Sequence, residues 1–285
     1  MSIAYLNGEF LPLEQARISP LDRGFLFGDG IYEYIPSYDG KLVGFRLHIE
    51  RLQRGLVELK IELPRSVDQW REVFEEVIAR NGGGHQSLYL HISRGADNKR
   101  EHGYPKGIEP TVFILATVID PPQVADPALA RTYKVSTKQD LRWGRCHIKS
   151  TALLGNIMHK QSSIEDGCDE ALLYNELEEI TEGASSNVVV VKDGKLATPM
   201  LDNQVLPGIT RSVLLDILAK YTQRGIEQRV ITLTEVRKAD EVWMTSSSKD
   251  IVPVIELDGK QVGHGKPGPI WQEIMKLFAK HRFDY

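Results

Sequence analysis

Lys149, in the run Arg145-Cys146-His147-Ile148-Lys149-Ser150-Thr151, is placed by its neighbours to act as an amine nucleophile. Ile148 precedes it, and Leu153, Leu154, Ile157 and Met158 follow at helical spacing, which predicts an apolar helix starting just after the lysine. Partial burial there, with Arg142 and Arg145 close by in sequence, would lower the amine pKa toward the range a Schiff-base lysine needs. A solvated loop lysine in front of an ordinary helix fits the same residues. The segment Leu206 to Arg211 (LPGITR) leads into a helical pattern, and free backbone N–H groups at a helix start bind phosphate well. Thr210 adds a hydroxyl, although a plain Pro-Gly turn reads the same way. Thr245 to Ser248 follow a strand pattern at Glu241 to Met244, either completing a phosphate cup or forming a polar loop. Arg51 lies between Ile49 and Leu52 and is by default a surface arginine. Glu182, in ITEGASSN, suits either a salt bridge to a ring nitrogen or the cap of a turn. Arg100 and His102 stand in a polar loop after a strand ending near Ser93, as a carboxylate-binding pair or as a solvated charge cluster.

Alternating strands and helices must position these groups. Asn7-Gly8, Asp39-Gly40, Asp193-Gly194 and Asp258-Gly259 each separate strand-like segments and supply the positive φ angles of two-residue hairpins. Ser87 to Ser93 alternates Leu88, Leu90 and Ile92 with Tyr89 and His91, the pattern of a half-buried strand, whereas Val112 to Ile119 and Val188 to Val191 read as more fully buried strands. Ile49, Leu52, Leu56 and Leu59 predict one helix. Ser66 with Gln69 forms a capping box for a second, carrying Trp70, Val73, Phe74, Val77 and Ile78 and stopped by Gly82-Gly83-Gly84. Val213, Leu214, Ile217, Leu218 and Tyr221 predict a third, Thr232 and Glu235 cap a short one, and Trp271 to Phe283 reads as a terminal amphipathic helix. The proline-rich stretch 121–129 is the expected crossing between an N-terminal α+β domain, 1–120, and a mixed α/β domain, 130–285.

With 285 residues, 41% hydrophobic and 26% charged, the chain can bury a sizeable core. A net charge of -4 provides no global field to attract nucleic acid or an anionic membrane, so an anionic ligand needs a local basic site. The N-terminus lacks the charged and apolar regions of a secretory signal, and no apolar run is long enough to span a bilayer. Cys146 and Cys168 are too few for a disulfide framework and lack metal-site spacing. The expectation is a cytoplasmic protein with small-molecule ligands and no metal.

Singly these segments are weak, but their order is not. HIERL around Arg51, Arg100-x-His102, IKS around Lys149 with LLG after it, TEGxSSN around Glu182, LxGITR and TSS together resemble the fold-type IV (class IV) aminotransferases, and within them the branch that acts on D-amino acids. GFLFGDGIYE near the start is also typical, and the likeness runs from about Tyr5 to Trp271. It implies a two-domain architecture of α/β and α+β character with pyridoxal 5'-phosphate at the domain interface. Lys149 would form the Schiff base, Glu182 would meet the pyridine nitrogen, and Arg51, Ile209 and Thr210 would hold the phosphate, with Ser246 and Ser247 assisting. Leu206 would pack on the ring face and Arg142 would reach the ring hydroxyl. Tyr32, Arg100 and His102 would trap the substrate carboxylate, the last two from the partner subunit of a homodimer. The implied reaction is ping-pong transamination between a D-alanine-like amino acid and a 2-oxo acid such as 2-oxoglutarate. Alternatives are an L-branched-chain aminotransferase, which does not use the Arg-x-His pair, an aminodeoxychorismate lyase, and a binding protein that kept the fold. Two departures bear on substrate range: the loop from Gly95 to Arg100 is one residue longer than the family pattern, and Tyr34 replaces a small aliphatic residue.

Overall fold

A computed structural model describes residues 2–285, which group into two compact units. The first unit contains the residues up to Pro121 together with Ile148–Leu153. Its sheet is built from β1 (Ile3–Leu6), β2 (Glu9–Pro12), β3 (Gly30–Tyr38), β4 (Lys41–Leu42), β5 (Gln86–Ser93) and β6 (Thr111–Val118), all antiparallel, in the order β2-β1-β6-β5-β3-β4. Its helices are α1 (Arg23–Phe27), α2 (Phe45–Leu59) and α3 (Val67–Arg80). Side chains alternate across a strand, so β3 turns Ile31, Glu33 and Ile35 to one face and Tyr32 and Tyr34 to the other. The first face packs under α2 and α3, where Phe45, Ile49, Leu52, Trp70 and Phe74 meet Leu88, Leu90 and Ile92. Both bonds of the Ser66–Gln69 capping box are present at the start of α3.

The second face is half-buried. Tyr32 pairs with His91, and Tyr34 with Tyr89, across the β3–β5 register. This explains a departure from the sequence reading. The strand expected at Val112 to Ile119 buries Val112, Ile114 and Ala116, but leaves Phe113 and Leu115 half-buried and Val118 81% exposed. Its apolar run spans a covered face and an open one.

The second unit, Pro122–His147 with Leu154–Asp284, holds a nine-stranded mixed sheet. Its strands are β7 (Tyr133–Gln139), β8 (Glu170–Tyr174), β9 (Ile180–Gly183), β10 (Asn187–Lys192), β11 (Lys195–Thr198), β12 (Ile226–Gln228), β13 (Glu241–Ser246), β14 (Asp250–Leu257) and β15 (Lys260–Gln261). The order is β12-β11-β10-β13-β14-β7-β8-β9, with β15 on β14. Helices α4 (Leu154–Glu165), α5 (Ile209–Tyr221), α6 (Leu233–Val236) and α7 (Pro269–His281) complete it. All four expected hairpins form, β1–β2, β3–β4, β10–β11 and β14–β15, with positive φ at both turn residues, as at Asp39 (51°) and Gly40 (78°).

Two segments differ from the expected division. The proline-rich stretch is irregular but tied down: Gln123 donates to Asp250 and to the Ile251 carbonyl, and its own carbonyl accepts from Arg282. Ile148–Leu153, expected within the C-terminal domain, groups with the first unit. Because β4 has only two residues, the edge of β3 at Gly30–Tyr32 is open, and this segment fills it. Tyr32 N–H donates to the Lys149 carbonyl (3.0 Å) and Thr151 N–H to the Gly30 carbonyl (3.0 Å). The apolar stripe expected after Lys149 does form part of α4. It is not buried: Leu154, Ile157 and Met158 are 70%, 60% and 64% exposed, and α4 buries His159 and Ser163 instead. No helix among the described residues is long and apolar enough to cross a membrane.

Candidate active site

In the first unit, the edge pairing with β3 sets the position of Lys149. Its Nζ lies 4.1 Å from the centre of the Tyr32 ring, on the half-buried face of the sheet. Tyr32 stacks obliquely on Tyr89 at 5.6 Å, and the Tyr89 hydroxyl bonds His91 Nδ1 at 2.9 Å. Burial pushes the Tyr89 hydroxyl up to about 12, so it stays protonated.

Arg51 is no surface arginine. It is buried on α2 with its fork closed on Glu33 of β3, Nε to Oε1 at 2.8 Å and Nη2 to Oε2 at 2.6 Å. His48, one turn earlier on α2, meets Glu33 Oε2 at 2.6 Å. Burial alone would raise the Glu33 carboxyl, but Arg51 and His48 outweigh it and hold it at about 2. Burial likewise holds His48 below its usual value. The result is a fixed, buried Glu33–Arg51 ion pair.

Arg100 and His102 stand in the irregular segment between β5 and β6, and both are exposed. They share one support: the Arg100 guanidinium lies 5.0 Å, and the His102 ring 5.2 Å, from the ring of Phe27. Tyr32 is engaged instead with Lys149 and Tyr89.

In the second unit, Glu182 of β9 is buried and surrounded by donors. Arg142 Nη1 reaches Oε1 at 2.6 Å, while Asn187 Nδ2 and the Leu206 N–H each reach Oε2 at 3.0 Å. Burial pushes the Glu182 carboxyl up to about 7, opposed by the Arg142 guanidinium and the N–H donors, which favour the anion. Arg142 gives Nε and Nη2 to Asp140 at 3.0 and 2.8 Å, so all three of its nitrogens serve Asp140 and Glu182. Arg142 thereby holds the Glu182 carboxylate in place.

Helix α5 opens at Gly208, Ile209 and Thr210 as expected. Gly208 supplies no side-chain cap, which leaves the first N–H groups of α5 without intrahelical acceptors. A Cβ at Gly208 would run into the side-chain oxygen of Asn187, so glycine is required for Asn187 to hold both Glu182 and the Leu206 carbonyl. Of the hydroxyl run, Ser246 and Ser247 are half-buried, and Ser246 Oγ lies 3.2 Å from Ser248 Oγ. Thr245 pairs with Asn187 across β13–β10, and its hydroxyl is buried without a hydrogen-bond partner, as is that of Ser186.

These residue types fit pyridoxal 5'-phosphate. Its aldehyde needs an amine such as Lys149, its ring nitrogen needs an anion such as Glu182, and its phosphate needs donors. The uncapped start of α5 and the orphaned Thr245 hydroxyl, both in the second unit, can supply such donors. Sequence reading missed Glu33, His48, Asp140 and Asn187, and named Thr245 only within the hydroxyl run. The detectable signal was Glu33, a charge on the strand face that otherwise carries Ile31 and Ile35.

Comparison with known proteins identifies the family. The family model described as amino-transferase class IV matches residues 30–257. A D-alanine aminotransferase of Staphylococcus haemolyticus is 36% identical over 282 residues, covering 99% of this chain and 98% of its own. One from Listeria monocytogenes is 35% identical over 275 residues, covering 96% and 94%. Among solved structures, the branched-chain amino acid aminotransferase of Escherichia coli superposes with a TM-score of 0.90 at 24% identity, covering 98% of this chain and 94% of that one. That of Thermoproteus uzoniensis gives 0.85 at 24%, covering 99% and 95%. At such identity these structures establish the fold.

Proposed function

This chain belongs to the class IV aminotransferases, and from that premise we propose that it exchanges amino groups between a D-amino acid of alanine-like size and a 2-oxo acid such as 2-oxoglutarate, in ping-pong order. It is an aminotransferase of small amino and 2-oxo acids, and its cofactor is pyridoxal 5'-phosphate. When bound, that cofactor supplies the electron sink for the pair left at the substrate Cα.

The residues divide the remaining work. Lys149 holds the cofactor covalently through its amine. Once the substrate amine displaces it, Lys149 takes the proton from Cα and later returns one. Glu182, whose anionic form is favoured by Arg142 and by the N–H groups of Asn187 and Leu206, holds the proton on the ring nitrogen. Arg51, Ile209 and Thr210 bind the phosphate, assisted by Ser246 and Ser247 and, in addition, Thr245; Leu206 packs on the ring face. Tyr32, Arg100 and His102 receive the substrate carboxylate. In a homodimer the last two act on the partner's site, which accords with their exposure within their own chain.

The observation that carries D-specificity is the pair Arg100 and His102 gathered on one ring, Phe27, as a two-point anion receptor. The names of the relatives at 35–36% identity point the same way. The test compares D-alanine with L-leucine as donors to 2-oxoglutarate, with chiral analysis of the glutamate formed. D-alanine should turn over faster and yield D-glutamate; faster turnover of L-leucine refutes the reading.

A further inference from the structure

The segment between β5 and β6 that bears Arg100 and His102 has no helix or strand to fix it, and its residues from Asn98 to Tyr104 are exposed. A two-point receptor on such a segment needs an external template, because a carboxylate is recognised well only when both donors are pre-oriented. The short helix α1 and the turn after it supply one. Arg23 is 3% exposed and donates through Nη1 to the Glu101 carbonyl (2.6 Å) and through Nη2 to the His102 carbonyl (3.2 Å). Its Nε is held by Asp29 at 2.7 Å. Asp29 also takes both Nε and Nη2 of Arg94, at 2.8 and 3.0 Å. Arg94 in turn donates to the carbonyls of Leu59 and Lys60, at the end of α2. The backbone of the Arg-Glu-His run is thus tied through Arg23 and Asp29 to the rigid part of the unit. One turn along α1, Phe27 lies within 5.0 Å of the Arg100 guanidinium, 5.2 Å of the His102 ring and 4.9 Å of Arg23.

We infer that Phe27 and Arg23 are positioning residues for substrate-carboxylate recognition: Arg23 sets the backbone of the Arg100–His102 run, and the Phe27 ring sets the spacing and tilt of the two side chains. Neither touches the substrate. This rests on the reading of Arg100 and His102 as the carboxylate receptor. The π face of Phe27 matters as well as its bulk, because a cation and an imidazole both lie against it.

The experiment uses the holoenzyme and leads with Phe27, which is half-buried and replaceable without opening the core. Phe27→Leu should raise the KM for D-alanine at least fivefold, leave kcat within about twofold and leave the cofactor absorption band unchanged; Phe27→Tyr should restore the wild-type KM. In an Arg100→Ala background, Phe27→Leu should add nothing further to KM. A merely structural Phe27 would lower thermal stability and kcat together and would add its effect independently. Arg23→Lys, which keeps the charge but loses the fork, should also raise KM. Phe27→Leu with unchanged KM, or a full additional effect in the Arg100→Ala background, overturns the inference while leaving the receptor intact. An Arg100→Ala enzyme with unchanged KM overturns the receptor reading, and this inference with it.

Discussion

Glu182 shows how much of the chemistry depends on a single environment. Oε2 accepts two N–H donors and Oε1 a guanidinium, so a glutamine would turn an amide N–H toward a donor whichever way it sat. Glu182→Gln should therefore lose the anion and disturb its neighbours, cutting kcat by about 10²–10³-fold, the scale set by removing one preorganised electrostatic group. Single-turnover half-reactions, with bound cofactor measured separately, would show this; near-normal turnover would remove Glu182 from its assigned role. The same residue leaves a signature in the apoprotein. Its folded value, about 7, lies above the usual 4.5, so the folded state holds the proton more tightly than the unfolded one. Its contribution to stability must therefore fall as pH rises from 4.5 to about 7, by up to about 1 kcal/mol per pH unit. Denaturant melts of apo Glu182→Gln should thus compare more favourably with wild type at pH 8 than at pH 5. Lys149 has a simpler test. Borohydride should fix the cofactor to it alone, and Lys149→Ala should lose turnover by several orders of magnitude. Peptide mapping to another lysine would sink the assignment.

At the scale of elements, β3 and α2 act together. The alternation of β3 delivers Glu33 to the covered face, and one turn of α2 brings His48 and Arg51 to it. Removing one partner of a buried ion pair costs about 3–5 kcal/mol, so Glu33→Gln should lower stability on that scale at pH 7 and weaken phosphate-dependent cofactor retention. Glu33 is held at about 2, so its contribution is complete above about 4.5 and is lost as pH falls toward 2. The gap between wild type and Glu33→Gln in equilibrium melts should narrow at pH 3; a gap that stays constant would contradict the pairing. These elements also show what a sequence discloses. The hairpins at Asp39-Gly40 and Asp193-Gly194, the Ser66 cap and the stripe of α3 are local in sequence, and they were legible because adjacent residues determine them. The segments around Lys149, Glu182 and Thr210 were legible through their order. The partner Glu33 was not, because it reaches Arg51 from another element, and Asp140 and Asn187 were not, because nothing in the local pattern shows which way such nearby polar side chains turn. Nor could periodicity say what covers a stripe. Leu154, Ile157 and Met158 keep helical spacing yet face outward, and Ile148–Leu153 joins the first unit because a two-residue β4 leaves an edge that no local pattern reveals.

At the scale of the whole molecule, the question is how many chains make one site. Arg100 and His102 are exposed within their own chain, and α4 presents Leu154, Ile157 and Met158 to the outside at 60–70% exposure. Exposed apolar side chains close together on a helix are a mark of a surface that another protein covers. Both observations fit a homodimer in which each chain lends its Arg100 and His102 to the other. Arg100→Ala should then raise the apparent KM for D-alanine about 10-fold or more, since an arginine–carboxylate contact is charge-assisted, without changing the cofactor absorption band. Hybrid dimers separate lending from self-use. When Lys149→Ala chains are mixed with Arg100→Ala chains, one site of each hybrid keeps the lysine of one chain and the arginine of the other. The second site has neither. Mixing under conditions that exchange subunits should therefore restore up to half of the wild-type activity per hybrid dimer, at the wild-type KM. If Arg100 served the site of its own chain, every site in the hybrid would lack one of the two residues, and no activity at wild-type KM would return whatever the mixing ratio.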